Sequence, residues 1–439
     1  MPLAPPDRGP ANLGPDGPVD HTWPPPARRG FARGPRPCLQ SRTRMLDDNG
    51  RGSTKKSRID GSLMAKAAVD RLLLMSNLRA ARQGSPPGGA LVVSAETTYP
   101  SITPGPRVRL VRLAPHLRAH GISLNYRTTL SDAEYLALTS PQRVAGLPAK
   151  AHAFTRGVAR ATKPPEPANL LLVYRLRFLT PIPRIEPLAK LDVYDFDDAL
   201  LVGSTFPWNR RFAWLKREAA RCRTYLSRAR LVITGNSYLA ETARSYARKI
   251  EVIPSCVDPS IQPLRAHAEM DPVRIGWIGS ASTAPYLAQL MPVFERLNAN
   301  RVRAKLVVVG TGVNLRAPWM EHREWSLDTE QAELANFDIG VMPLPDDEWT
   351  RGKCGYKLLQ YFAAAVPAVA SPVGVNRSII GSARGYLADT AGDWFRALSE
   401  LINDVDLRRQ MGANGRAFVE REFSYQRWAP EYAALLRQL

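Results

Sequence analysis

Cysteine is scarce in this chain: Cys38, Cys222, Cys256 and Cys354 are the 4 in 439 residues, and no two stand at metal-ligand spacing. That excludes a zinc cluster and a disulfide framework, and it suits a reducing compartment such as the cytoplasm. Long apolar runs are missing too, since nothing approaches the ~18 uninterrupted residues of a membrane span. Met1 leads into Pro, Leu and Asp-containing sequence rather than a hydrophobic segment, so no secretory signal is expected. Arg28 and Arg29 lack the following apolar stretch of a twin-arginine leader. Acidic residues are short relative to basic ones, 40 against 60, for a formal net charge of +20. Such an excess fits three kinds of partner: nucleic acid, an anionic membrane surface, or phosphorylated substrates. Basic strands interleaved with aromatics and a recognition-helix motif are both lacking, so nucleic acid is not expected as a partner.

What is present is enough for two cores, because 44% of the 439 residues are hydrophobic. Residues 1–88 are dominated by Pro, Gly, Arg and Ser and are expected to be a disordered basic extension, with one short amphipathic helix around Met64 to Ala81. From Ala90 the pattern changes. Apolar runs at 90–95, 170–174, 191–194, 231–234 and 251–254 read as buried parallel strands, with helical spacing at 108–119, 210–228 and 237–248 between them. After a polar interval at 263–272 the alternation restarts. Strands are expected at 273–279, 305–310, 338–342 and 367–370, and helices at 285–298 and 354–364. The expected fold class is α/β, with two doubly wound Rossmann-like domains facing a cleft, at 89–262 and 263–424. A last helix at 425–439 is placed to cross back to the first domain.

Two segments carry chemistry. Gly276-Trp-Ile-Gly-Ser-Ala-Ser-Thr283 reads as a strand, a glycine and small polar residues before a helix, a geometry that presents backbone N–H groups to an anion. Alone this signal is weak, because most such turns bind nothing. The second segment is denser. Asp338 to Leu344 runs into Arg351-Gly-Lys-Cys-Gly-Tyr-Lys357, then Leu358-Leu-Gln-Tyr-Phe-Ala-Ala-Ala-Val-Pro367 and a strand ending near Gly374. Three cations around a glycine-containing loop that opens a helix form an anion cradle where the helix dipole already favours negative charge.

At these residues the chain resembles the family-4 glycosyltransferases, whose donor-binding signature follows the same order from Lys357 to Gly374. The resemblance covers about residues 90–439. It includes Tyr194-Asp-Phe-Asp-Asp-Ala-Leu200, Leu231-Val-Ile-Thr-Gly-Asn-Ser-Tyr-Leu239 and Val252-Ile-Pro-Ser-Cys-Val-Asp258. It implies the GT-B fold, a nucleotide-sugar donor gripped by the second domain, transfer with retention, and neither metal nor other cofactor. By position, Gly279, Ser280, Thr283, Gln360 and Gly374 are the donor-binding residues. Arg351, Lys353 and Lys357 are the cations that neutralise the leaving diphosphate as the glycosidic bond breaks, a task worth ~3–4 kcal/mol of barrier per preorganised donor.

Two departures from the family pattern stand out. Its paired glutamates, eight positions apart, are Gly352 and Gln360 here, and an Arg–Lys pair after the first glycine loop reads Ala284 and Pro285. Arg351 and Lys353 are expected to take over that second duty. Asp197 and Asp198 are expected at the reacting centre and Asp195 on the acceptor side. Chelation of Mg2+ through a diphosphate and helix N-capping remain the alternatives for this cluster. Cys354 is expected to pack beside the loop, and Trp277 to be core or cleft wall. The leading expectation is a cytoplasmic sugar transferase, peripheral at an anionic membrane face. The second is a non-catalytic relative that binds nucleotide sugar and supports a partner enzyme.

Overall fold

The structure, a computed structural model, describes residues 89–139, 146–164, 166–181, 191–202, 216–300, 302–310 and 315–439, all within one compact unit. The expected Met64–Ala81 helix and the start of the expected 210–228 helix lie outside these residues. So do Cys38, Arg28 and Arg29.

Two six-stranded sheets organise the chain, and every pairing within them is parallel. The first contains β1 (Leu91–Thr97), β2 (Ile122–Thr128), β3 (Leu170–Tyr174), β4 (Val193–Phe196), β5 (Leu231–Thr234) and β6 (Ile250–Val252), in the order β2-β1-β3-β4-β5-β6. The second contains β7 (Val273–Gly279), β8 (Ala304–Gly310), β9 (Met320–Arg323), β10 (Ile339–Met342), β11 (Ala368–Ala370) and β12 (Gly385–Leu387), in the order β12-β11-β10-β7-β8-β9. Such strands are apolar on both faces, and the pleat sends alternate residues to opposite cores. In β8, Leu306 and Val308 enter one cluster with Trp277 and Phe294, while Val307 and Val309 enter the other with Ile278 and Phe362.

The helices are α1 (Ala114–Ala119), α2 (Asp132–Thr139), α3 (Leu147–Ala161), α4 (Glu218–Arg228), α5 (Ser237–Ala243), α6 (Met291–Ala299), α7 (Glu330–Ala335), α8 (Glu348–Arg351), α9 (Tyr356–Ala363), α10 (Asn376–Ile380), α11 (Ala391–Asn403), α12 (Val405–Glu422) and α13 (Tyr425–Arg437). Three expected helices come out differently: 237–248 ends at Ala243, and 285–298 is a 3-10 helix at Ala284–Leu290 followed by α6. The 108–119 stretch is not one helix but a π-helical turn at Arg107–Val111 followed by α1. Pro115 stands at the start of α1, where it has no N–H to continue the preceding ladder, so the helix restarts.

The chain passes between the two halves twice, and the two passages run side by side. Val257 N donates to Phe423 O at 2.9 Å, and Tyr425 N donates to Val257 O at 3.2 Å. Beyond this crossing α13 buries Tyr425, Ala429, Tyr432, Ala433 and Leu436 in the core of the first sheet. A buried cluster adds a second tie: Glu330 of α7 receives Arg107 Nη2 at 2.9 Å and Arg112 Nη2 at 3.3 Å from the first half, and Trp325 Nε1 at 2.9 Å.

Each sheet has a switch point, where the strand order reverses: between β1 and β3 in the first, and between β7 and β10 in the second. In open parallel sheets ligands bind outside the carboxyl ends of the strands at such points. Arg175 lies at the end of β3, Gly279 at the end of β7, and the segment from Pro343 begins at the end of β10.

Candidate functional site

Start with the loop between α8 and α9. α8 begins with a reciprocal cap, Asp347 accepting from Thr350 N at 2.7 Å while Thr350 Oγ1 accepts from Asp347 N at 3.1 Å. The loop Gly352–Gly355 follows, and Gly355 adopts φ +66°, which turns the chain into α9. Only glycine takes this conformation cheaply, and a Cβ there would also stand 2.4 Å from Ile379.

The first half grips this loop. Asn236, at the N-cap of α5, accepts from Leu239 N at 2.9 Å. Its amide donates to Gly352 O at 3.1 Å and Lys353 O at 3.3 Å. Gly352 lies flat against the first half: a Cβ would be 2.7 Å from Ala199 Cβ and 3.1 Å from Leu239. Cys354 Sγ reaches Asp197 O at 3.4 Å, so it packs beside the loop, and burial pushes its thiol well above the ordinary range.

Four charges meet beside the loop. Lys353 Nζ is 2.7 Å from Asp198 Oδ1 and 4.5 Å from the Trp349 ring centroid. Asp198 Oδ2 is 2.6 Å from Arg175 Nη2, and Arg175 Nε donates to Asp197 Oδ1 at 2.8 Å. Tyr174 Oη donates to the same oxygen at 2.6 Å. Burial alone would raise the Asp198 carboxyl, but Arg175 and Lys353 beside it hold it below the usual carboxylate range. Arg175 sits at φ +55°, uncommon for a non-glycine residue and a cost of order 1–3 kcal/mol that the surrounding contacts must hold. Nothing in the sequence around Arg175 marks it; its importance comes from partners 22 and 23 residues further along.

Lys357 stands in the first turn of α9, half-buried, with Nζ 5.7 Å from the centroid of the buried Trp277 ring. Burial, with Lys353 close by, lowers its ammonium from 10.5 to about 8. The first amides of a helix have no intrahelical partner and carry its positive end, so a cation here is poorly placed for stability and well placed for an anion.

Other expected residues are placed differently. Asp195 does not face the junction. It is 0% exposed, held by Arg109 Nε at 3.0 Å and Nη2 at 2.9 Å and by Tyr432 Oη at 3.1 Å, which leaves no room for an acceptor hydroxyl. Arg175, Tyr174 and Lys353 pair with the carboxylates of Asp197 and Asp198. A Mg2+ ion at this cluster would have to displace those cations, and among the described residues no group of three or more His, Cys, Asp or Glu is arranged to hold a metal. Arg351 is exposed and pairs with Asp346 at 2.7 Å. In the Gly279 loop, the amides of Thr283 and Ala284 close on Ser280 O at 3.0 and 3.1 Å, and the Ser280 and Ser282 hydroxyls pair at 2.9 Å. Gly279 itself is fixed by packing, with the Trp277 ring 2.5 Å from where its Cβ would be. Gly374, at φ +52°, lies against Arg351 O. Gln360 is 8% exposed and lines a small pocket at the junction with Arg112, Asp258, Glu330 and Tyr356.

Residues 272–404 match the family model "Glycosyl transferases group 1". No curated protein matches the chain by sequence. Among solved structures the chain is similar to sucrose-phosphate synthase from Thermosynechococcus elongatus, at 14% identity and TM-score 0.55, covering 79% of this chain and 98% of that one. It is also similar to Anabaena Alr3699/HepE, solved in complex with UDP and glucose, at 13% identity and TM-score 0.54, covering 80% and 100%. A glycosyltransferase from Rickettsia africae aligns at 11% identity and TM-score 0.50, covering 80% and 98%. The fold is GT-B. In GT-B terms, Lys353 and Lys357 belong to the second domain and Arg175, Asp197 and Asp198 to the first, so the charge cluster spans the domain junction.

Proposed function

We propose that this chain is a glycosyltransferase that moves a sugar from a nucleotide-sugar donor to an acceptor, with retention and without a metal ion. One observation carries the reading: Lys353 and Lys357 sit at the N-terminal end of α9, beside the switch point of the second sheet, facing a carboxylate pair from the first domain. A diphosphate at this end meets two ammonium groups and the positive end of a helix, the arrangement that stabilises charge on a leaving phosphate. The family match over residues 272–404 supports the same chemistry. So do solved relatives such as the HepE complexes with UDP and UDP-glucose. The acceptor side is assigned to the first domain, where Asp197 and Asp198 follow the end of β4. Arg175 and Lys353 already balance these two carboxylates, which supports metal-free binding.

A second reading follows from Gly352. The family glutamate has no space here, so a relative that binds nucleotide sugar without turnover is the alternative. Both are tested by melting the full chain with UDP, GDP, ADP and dTDP, first in EDTA and then with Mg2+. A diphosphate at a hundred times its Kd stabilises the chain by ~2.7 kcal/mol, enough to shift the transition. A shift in EDTA with one nucleotide supports the metal-free site and names the base. A shift confined to Mg2+ moves the site towards Asp197 and Asp198. Donor hydrolysis or transfer by the same sample separates the enzyme from the non-catalytic relative.

A further inference from the structure

We propose that Lys353 is a donor-operated latch: it bridges the domain junction to Asp198 in the unloaded molecule, transfers to the donor diphosphate, and thereby frees Asp198 for the acceptor only after the donor has arrived. This rests on the reading of the α9 end as a diphosphate site and adds an order of binding to it.

The backbone and the side chain of the latch are held separately. Asn236 fixes the loop through Gly352 O and Lys353 O, and Gly352 fits against Ala199 with no space for a Cβ. The ammonium is held by different groups, Asp198 at 2.7 Å and the Trp349 ring at 4.5 Å. Lys353 can therefore change partner by rotating its side chain, with the loop and both domains left in place. A four-carbon stem with three rotatable donors suits that movement better than the planar fork of arginine.

Asp198 is also built to lose one partner. It holds two cations, and Arg175 remains on Oδ2 at 2.6 Å once Lys353 leaves Oδ1. Arg175 is itself fixed by Asp197, so the released Oδ1 stays aimed and is not left as an unpaired buried charge. The destination is close: Lys353 and Lys357 flank the Gly355 turn that opens α9, with their ammonium groups over the Trp349 and Trp277 rings at 4.5 and 5.7 Å. A diphosphate bound there competes with Asp198 for the same ammonium. While Lys353 stays on Asp198, its ammonium neutralises the carboxylate and competes with an acceptor hydroxyl for Oδ1.

The test is the affinity of the full chain for the diphosphate that stabilises it most, measured by calorimetry in EDTA for the wild type, Asp198→Asn, Lys353→Met and the double variant. If the carboxylate and the diphosphate compete for Lys353, Asp198→Asn binds the diphosphate about ten-fold more tightly. In the Lys353→Met background the same change gains no more than about two-fold, the part that comes from removing a like charge. Asp198→Ser serves as the second variant should the asparagine fail to fold, with the same expectation. Unchanged or weaker binding by both Asp198 variants, or an equal gain in the Lys353→Met background, overturns the latch while leaving the donor site standing. If the wild type binds none of the four nucleoside diphosphates nor inorganic pyrophosphate, the donor-site reading falls and the latch falls with it.

Discussion

Replacing Lys357 with methionine should make the unloaded protein more stable while removing its grip on a diphosphate. The ammonium sits at the positive end of α9, half-buried, with Lys353 as a like-charged neighbour, and these surroundings lower its pKa from 10.5 to about 8. At 1.36 kcal/mol per unit, that depression sets an upper limit of roughly 3.5 kcal/mol on the cost of keeping the charge in the folded state. Partial solvent access reduces it, and about 2 kcal/mol is the expected gain for Lys357→Met at pH 7. The pH dependence has a fixed sign. Because the folded pKa lies below the unfolded one, the folded state holds fewer protons between about 8 and 10.5, and this group's contribution to stability rises across that window. Below pH 8 the full cost is present. Urea unfolding of wild type and variant at pH 7, 8, 9 and 10 should give a difference that is largest at pH 7 and shrinks towards pH 10. Diphosphate affinity of the wild type should fall as the pH rises past 8, and the variant should bind roughly ten- to hundred-fold more weakly at pH 7, the loss of one charge-assisted contact. A variant less stable than wild type at pH 7, or a stability difference that does not change with pH, would refute the assignment of Lys357 as a strained cation held for an anion.

Three further substitutions probe the framework around the site. Gly352→Glu, which restores the residue the family pattern has there, should destabilise the chain by about 1–3 kcal/mol and leave turnover no higher, because Ala199 Cβ lies 2.7 Å from the new Cβ; a gain in sugar transfer would contradict this packing. Asp195→Asn should cost about 3–5 kcal/mol in chemical denaturation by leaving Arg109 buried without its carboxylate; a near-neutral result would mean that the pair is not what holds β4 against the π-helical turn. Asn236→Ala should lose about 1–2 kcal/mol through the α5 cap and should also weaken diphosphate binding by loosening the Gly352–Cys354 backbone; an affinity equal to wild type would show that Asn236 does not preorganise the loop.

The parts of this molecule that could be read from its sequence are those whose cause is local. The buried parallel strands β3, β7, β8 and β10 are short, mainly apolar runs, and nothing but a core on both faces suits Leu170–Tyr174 or Leu306–Val309. Lys353 and Lys357 could be found because they flank a glycine turn that opens a helix. The break before α1 was harder to see, since helical spacing continues through it and only Pro115 signals the restart. Asp195 misleads for a related reason. In the run Asp195-Phe-Asp-Asp198 the carboxylates look alike, but the first lies inside β4 and packs onto Arg109 and Tyr432. The other two lie beyond the strand end, where the chain reaches the junction. Arg175 and Glu330 carried no local signal, because their partners are supplied by remote segments: Glu330 meets Arg107 across 223 positions of sequence.

The missing glutamate and the extra lysine are best understood together. A glutamate at 352 needs a side-chain path outward from the loop, and this chain has closed that path by setting the glycine against Ala199 and Leu239. The same close approach brings Lys353 within 2.7 Å of Asp198, so the loop gains a cation and takes its carboxylate from the opposite domain. An ion pair with side chains 21% and 13% exposed contributes little net stability, since desolvation offsets much of its attraction. Its value therefore lies in what competes for it. An anion arriving at α9 has more negative charge to offer Lys353 than a single carboxylate, and Asp198 keeps Arg175 when Lys353 leaves it.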